Sequence, residues 1–236
     1  MRRTVDADDF DRILDAGHIT SVFQPIVDVG RHEVVGFEAL SRGPAGSPWA
    51  SPAQLFAEAY RRGRVVELDW ACRAAAFRAA LGKQIPPEVP LLINVEPAAL
   101  NAPPPDDVAD LVKRPSDRNR FIVEITERSL AQDPAALVVA ITRLRDASIG
   151  VAIDDVGAEP ASLALMPILT PDVVKLDLSL IQQRPSPEIA RIVNASSRRP
   201  NAPGRPSWPK VSNRHATCAS LGRWAPPWPK ACGTVA

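Results

Sequence analysis

The chain is predicted to fold as an α/β barrel of repeated strand–helix units, and three observations predict it. Five apolar runs, Val34 to Glu38, Leu91 to Asn94, Phe121 to Glu124, Ile149 to Asp155 and Val173 to Lys175, each close on a carboxylate, an amide or a lysine. Asn94, Glu124 and Asp154 recur at intervals of 30 residues (124 − 94 and 154 − 124), about the length of one βα unit. Segments with helical apolar spacing fall between the runs. A parallel barrel carries its chemistry on the rim formed by the C-terminal strand ends, which makes Glu38, Asn94, Glu124, Asp154, Asp155 and Lys175 candidate site residues. Four carboxylates on one rim require protons or cations to neutralise them. Hard oxygen ligands favour Mg²⁺ or Mn²⁺.

The elements follow in order. Residues 6 to 16 read as a short leading helix. Ser21 to Val29 and Glu33 to Ala39 read as two strands joined at Gly30-Arg31-His32, a connection short enough for an antiparallel hairpin, so the first strand opposes the rest. Ser51-Pro52 opens a helix as N-cap and N1 residue. A second helix, from about Val66 to Leu81, carries Trp70, Ala74, Phe77 and Leu81 at core spacing. A third strand precedes the proline-rich loop Pro103 to Pro105 and a helix near Asp106 to Lys113. The fourth leads through Asp133-Pro134 into a helix over Ala135 to Ala147. The fifth is followed by a helical stretch, Ala161 to Met166, and the sixth by a helix beginning near Pro187. That makes six strands, where a closed barrel of this type has eight.

Composition divides the chain. All 27 acidic residues lie in residues 1 to 194, where 21 Lys and Arg leave a balance of −6 (21 − 27), whereas residues 195 to 236 hold seven basic residues and no acidic ones. The same tail holds three of the five tryptophans among closely spaced prolines. That composition has neither strand alternation nor helical period, and it predicts disorder. The tail reads as an out-of-frame translation of a gene whose frame once continued. It has no amphipathic period, and prolines interrupt its basic clusters, so neither DNA or RNA nor a membrane is an expected partner. Cys72, Cys218 and Cys232 have no metal-ligand spacing and suggest a reducing compartment. With no apolar signal core and no membrane-length run, the expected location is the cytoplasm.

Phe23-Gln24-Pro25-Ile26-Val27, followed by Gly36-Phe37-Glu38-Ala39-Leu40-Ser41-Arg42, resembles the opening of an EAL domain, the bacterial family of cyclic di-GMP phosphodiesterases. The family's later motifs come in order: Ile93-Asn94-Val95, Glu124-Ile125-Thr126-Glu127, Asp154-Asp155-Val156-Gly157 and Val174-Lys175-Leu176-Asp177. The resemblance covers about residues 19 to 194. It implies a TIM-like (β/α) barrel of the EAL type with its first strand antiparallel, incomplete at six strands, preceded by a helix in residues 1 to 18 and followed by the tail.

The resemblance also implies roles. Glu38, Asn94, Glu124 and Asp154 match metal ligands, with Asp155 completing a second metal position, so two Mg²⁺ or Mn²⁺ ions are expected. Lys175 matches the lysine that orients the attacking water, Arg42 a phosphate-binding arginine, Gln24 a substrate contact and Glu127 a loop anchor. The implied reaction is hydrolysis of cyclic di-GMP to the linear dinucleotide, and a homodimer is compatible with it.

Simpler readings stand beside these roles. Asn94 suits a turn cap, and Lys175 and Asp177 alternate with Val174 and Leu176 as in any half-buried strand. His18, His32 and His215 have no partner pattern. The chain also departs from the family pattern at Gly157-Ala158-Glu159-Pro160, where a second glycine and an aromatic residue are usual, and no counterpart of the last two strands follows. Three expectations therefore remain open: an active metal-dependent hydrolase, a cyclic di-GMP-binding or interaction module without turnover, and a non-functional gene fragment.

Overall fold

Gly30 and Arg31 donate their backbone N–H groups to the Asp28 carboxylate at 2.8 and 3.0 Å, closing the hairpin that begins the sheet. The computed structural model describes residues 7–28, 30–83, 85–86, 88–106, 108–109, 121–126, 133–156 and 166–176. Helix α1 (Ala7–Asp15) leads into β1 (Thr20–Asp28) and β2 (Glu33–Arg42). Next come α2 (Pro52–Arg62), α3 (Val65–Gly82), β3 (Leu91–Asn94) and a 3₁₀ turn at Pro97–Ala99. Then follow β4 (Phe121–Thr126), α4 (Pro134–Asp146), β5 (Gly150–Val156), α5 (Met166–Leu169) and β6 (Val173–Leu176).

The strands form one sheet in sequential order, β1 to β6. β1 is antiparallel to β2, and every later pair is parallel. This is the curled half-barrel the sequence predicts. β2 runs three residues beyond the expected Ala39, because Leu40, Ser41 and Arg42 pair with Val22, Ser21 and Thr20. That extension places Arg42 on the sheet. The helix expected near residues 106 to 113 falls largely outside the described residues, as do residues 161 to 165, the helix expected near Pro187 and the tail.

Alternation along the strands separates two apolar layers. Leu92, Ile122, Ala152 and Val173 are buried together on the inner face with Ile26 against them. On the outer face, Val123, Ile125, Val151 and Ile153 pack with Leu137 and Ile141 of α4. Ala39, Leu91 and Ile93 pack with Trp70, Ala74 and Phe77 of α3. Burial on both faces explains why β4 and β5 read as continuous apolar runs. Phe10 of α1 meets Trp49 edge to face at 5.6 Å, within a further cluster shared with α2 and α3.

Local signals set the helix ends. Ser51 accepts the Gln54 N–H at 3.4 Å with Pro52 in the first turn, and Asp133 accepts the Ala136 N–H at 2.9 Å with Pro134 following. Gly63, at φ 68, ends α2 in the left-handed conformation that glycine adopts without steric cost.

Candidate active site at the C-terminal strand ends

Above the inner apolar layer the strands turn polar. Asn94 and Glu124, at paired positions on β3 and β4, Asp154 on β5 and Lys175 on β6 stand two residues beyond Leu92, Ile122, Ala152 and Val173, and Glu38 on β2 pairs with Leu92. Their inward direction follows from the period-2 alternation of a strand.

The Lys175 ammonium joins three of these strands. Its Nζ lies 2.7 Å from Glu124 Oε1, 3.0 Å from Asp154 Oδ2 and 3.3 Å from Glu38 Oε2. Asn94 Nδ2 donates to Glu38 Oε1 at 3.4 Å, extending the cluster to β3. The contact to Glu124 is the shortest of the three, and Glu124 Oε2 is buried with no hydrogen-bond partner among the described residues. Among the described residues, no three acidic, histidine or cysteine side chains close around a point where they would cage an ion unaided.

Burial dominates the electrostatics. Glu124 is only 1% exposed, and burial pushes its carboxyl up to about 8. The nearby ammonium of Lys175 pulls against that rise, while the negative charges of Glu38 and Asp154 add to it. Burial also opposes the charge on Lys175, but the carboxylates of Glu124, Glu38 and Asp154 outweigh it and hold the ammonium above the ordinary lysine range.

The other described candidates lie on β5, β1 and β2. Asp155 is exposed at φ 57. It lies in a bulge, since β5 advances three residues from Ile153 to Val156 while β6 advances two from Val174 to Leu176. The extra residue lets two successive aspartates stand at one strand end. Gln24 pairs with Glu38 across the hairpin and is exposed. Arg42 is half-buried and donates from Nη1 to the Ser41 carbonyl at 2.8 Å. Glu127 lies outside the described residues.

Sequence reasoning missed a second polar group behind the rim. Asp69 and Arg73, four residues apart on α3, form a buried ion pair. Asp69 Oδ1 accepts the Glu96 N–H at 2.8 Å, and Arg73 Nη2 donates to the Ala99 carbonyl at 3.2 Å. Opposite charges at i and i+4 inside an apolar helix were the available signal.

The described strands form a half-barrel with carboxylates, an amide and a lysine gathered at their C-terminal ends, the end at which barrels of βα units carry their sites. The EAL domain model matches residues 7–199, and the chain belongs to that family. It is 30% identical over 164 residues to the probable cyclic di-GMP phosphodiesterase PdeB of Escherichia coli, covering 67% of this chain and 31% of that protein. It is 26% identical over 197 residues to the uncharacterized EAL-domain containing protein YkuI of Bacillus subtilis, covering 80% and 48%. Klebsiella pneumoniae BlrP1 in its manganese and cyclic di-GMP complex superposes with a TM-score of 0.62 at 28% identity, covering 75% of this chain and 45% of that one. The chain spans about half the length, or less, of the curated relatives it matches. No helix among the described residues is long and apolar enough to cross a membrane.

Proposed function

We propose that this chain is a cyclic di-GMP phosphodiesterase module that hydrolyses one phosphodiester bond with divalent cations. The observation that carries the proposal is the convergence of Glu38, Glu124 and Asp154, from three strands, within 3.3 Å of one ammonium. Manganese and calcium complexes with cyclic di-GMP among similar structures support it.

The donor set fits a divalent ion. Ionising Glu124 beside Glu38, Asp154 and the Lys175 ammonium gives the cluster a charge of −2 (−3 + 1), and Glu124 Oε2 is buried with no hydrogen-bond partner among the described residues. A buried carboxylate in that condition is costly unless a proton or a cation joins it. Glu38, Asn94, Glu124 and Asp154 would hold the ions, with Asp155 at the second position, and hard oxygen donors suit Mg²⁺ or Mn²⁺. Bound divalent ions supply charge neutralisation at the phosphodiester, acidify water and stabilise the leaving oxygen.

The chain's own side chains do the rest. Lys175, held charged by its carboxylate neighbours, orients the attacking water through an N–H. Arg42 exchanges its Ser41 carbonyl contact for a phosphate oxygen, using the guanidinium's fork. Gln24, beside Glu38 on the hairpin, meets the nucleotide. Glu127 matches the family's anchor for the loop after the fifth strand, and a homodimer is compatible with this reading.

A second reading, binding of cyclic di-GMP without turnover, draws support from Glu159 and Pro160 in the loop after Asp154-Asp155. Incubating the purified chain with cyclic di-GMP and Mn²⁺ separates the two. The proposal expects linear dinucleotide in the native protein and its loss in Glu38→Ala and Lys175→Met. Calorimetric binding without product in the native protein would replace it with the second reading.

A further inference from the structure

Burying an ion pair is an inefficient way to stabilise a helix, because desolvation cancels most of the attraction and apolar residues of similar volume do as well or better. Helix α3 nevertheless buries Asp69 and Arg73 among Trp70, Cys72, Ala74 and Phe77. The pair's distinctive property is where its free valences point. One Asp69 oxygen takes the guanidinium, and the other accepts the Glu96 N–H at 2.8 Å. Arg73, lying 3.5 Å from the Trp70 ring centroid, reaches past the helix to the Ala99 carbonyl at 3.2 Å. Tyr60 of α2 donates its hydroxyl to Glu96 at 2.6 Å. All of these bonds hold the loop that begins immediately after Asn94 and Val95.

β3 itself is only four residues long. Asn94 is its last residue, and its side-chain contact to Glu38 is long at 3.4 Å. On the β4 side the strand end is tied by the pairing of Asn94 with Glu124 and by the Val95 N–H, which donates to the Glu124 carbonyl at 3.0 Å, and on the α3 side by the bonds to Glu96 and Ala99. We propose that the Asp69–Arg73 pair is a positioning device that acts through the 96–99 loop to aim the Asn94 amide into the rim cluster. The inference deepens the phosphodiesterase reading and rests on it for the role of Asn94. Asp69 and Arg73 touch neither substrate nor ion and are positioning residues.

The test replaces the pair with apolar residues of similar size, Asp69→Leu with Arg73→Met, so that no unpaired charge is left in the core. The thermal midpoint should stay close to the native value or rise, because the apolar replacement fills the same space. NMR relaxation of the Asn94 side-chain amide, without metal, should show a rigid group in the native chain and an order parameter below about 0.6 in the double variant. Mn²⁺ binding, followed by the electron paramagnetic resonance signal of the free ion, should weaken about tenfold, as for other residues that orient a ligand. In an Asn94→Ala background, the same double substitution should produce no further weakening.

An unchanged Asn94 order parameter overturns the inference, and so does equal weakening of Mn²⁺ binding with and without Asn94. If the native chain binds no Mn²⁺, the metal reading of the rim fails, and the positioning role is decided by the relaxation measurement alone. If the double variant loses its cooperative melt, Arg73→Lys is judged by the same measurements. It keeps the charge beside Asp69 and gives up the forked reach to Ala99.

Discussion

Replacing Glu124 with glutamine keeps the shape of the side chain and removes the buried group whose ionisation the fold most opposes. In the metal-free protein the Glu124 carboxyl titrates at about 8 against an ordinary value of 4.5. Below about pH 4.5 both the folded and unfolded states hold the proton, and titration contributes no difference. Between 4.5 and 8 the unfolded chain ionises while the folded one retains its proton, so native stability falls relative to Glu124→Gln as pH rises. The loss levels off above the folded value. At about 1.36 kcal/mol per pH unit, the difference amounts to about 3 kcal/mol at pH 7 and about 5 kcal/mol above pH 8. Urea denaturation of both proteins in a chelator, followed by circular dichroism from pH 5 to 9, measures it. Excess Mn²⁺ should restore the native protein at high pH by binding the ionised carboxylate, and should help the variant less. Parallel stability curves for the two proteins would refute the assignment of a buried, protonated Glu124.

Three further outcomes are expected. Lys175→Met leaves Glu38, Glu124 and Asp154 without their shared cation and should cost about 3–5 kcal/mol at pH 8 in chelator, measured by urea denaturation. Gly43→Ala places a methyl group 2.1 Å from the Trp49 carbonyl oxygen, a backbone atom that cannot swing aside, and should lower stability by about 1–3 kcal/mol in a thermal melt. Ser51→Ala removes the cap at the start of α2 and should cost about 1 kcal/mol by the same melt, with no change in divalent-ion affinity.

The strand order and the rim were legible in the sequence because both depend on period. Runs ending in Glu38, Asn94, Glu124, Asp154 and Lys175 at βα intervals fix which residues share a strand end, and alternation fixes which of them face inward. The hairpin was legible for a similar reason: a three-residue connection leaves an antiparallel return as the simplest path. Its extent was less clear, since Leu40 to Arg42 join β2 only because β1 supplies backbone partners for them.

Other features depended on neighbours that no local pattern reveals. The bulge at Asp154-Asp155 exists because β5 and β6 advance by different numbers of residues, and register is a property of two strands together. Asp69 and Arg73 sit on a helix whose apolar spacing marks it as core, and their bonds to Glu96 and Ala99 arise only once α3 packs beside β3. The sequence determined the family, the strand order and the set of charged side chains at the rim, because motif order and periodicity are carried residue by residue along the chain. Only the tertiary structure decided that one lysine stands between three carboxylates and that burial raises the Glu124 carboxyl above its ordinary range, because burial and charge separation are set by distances between strands.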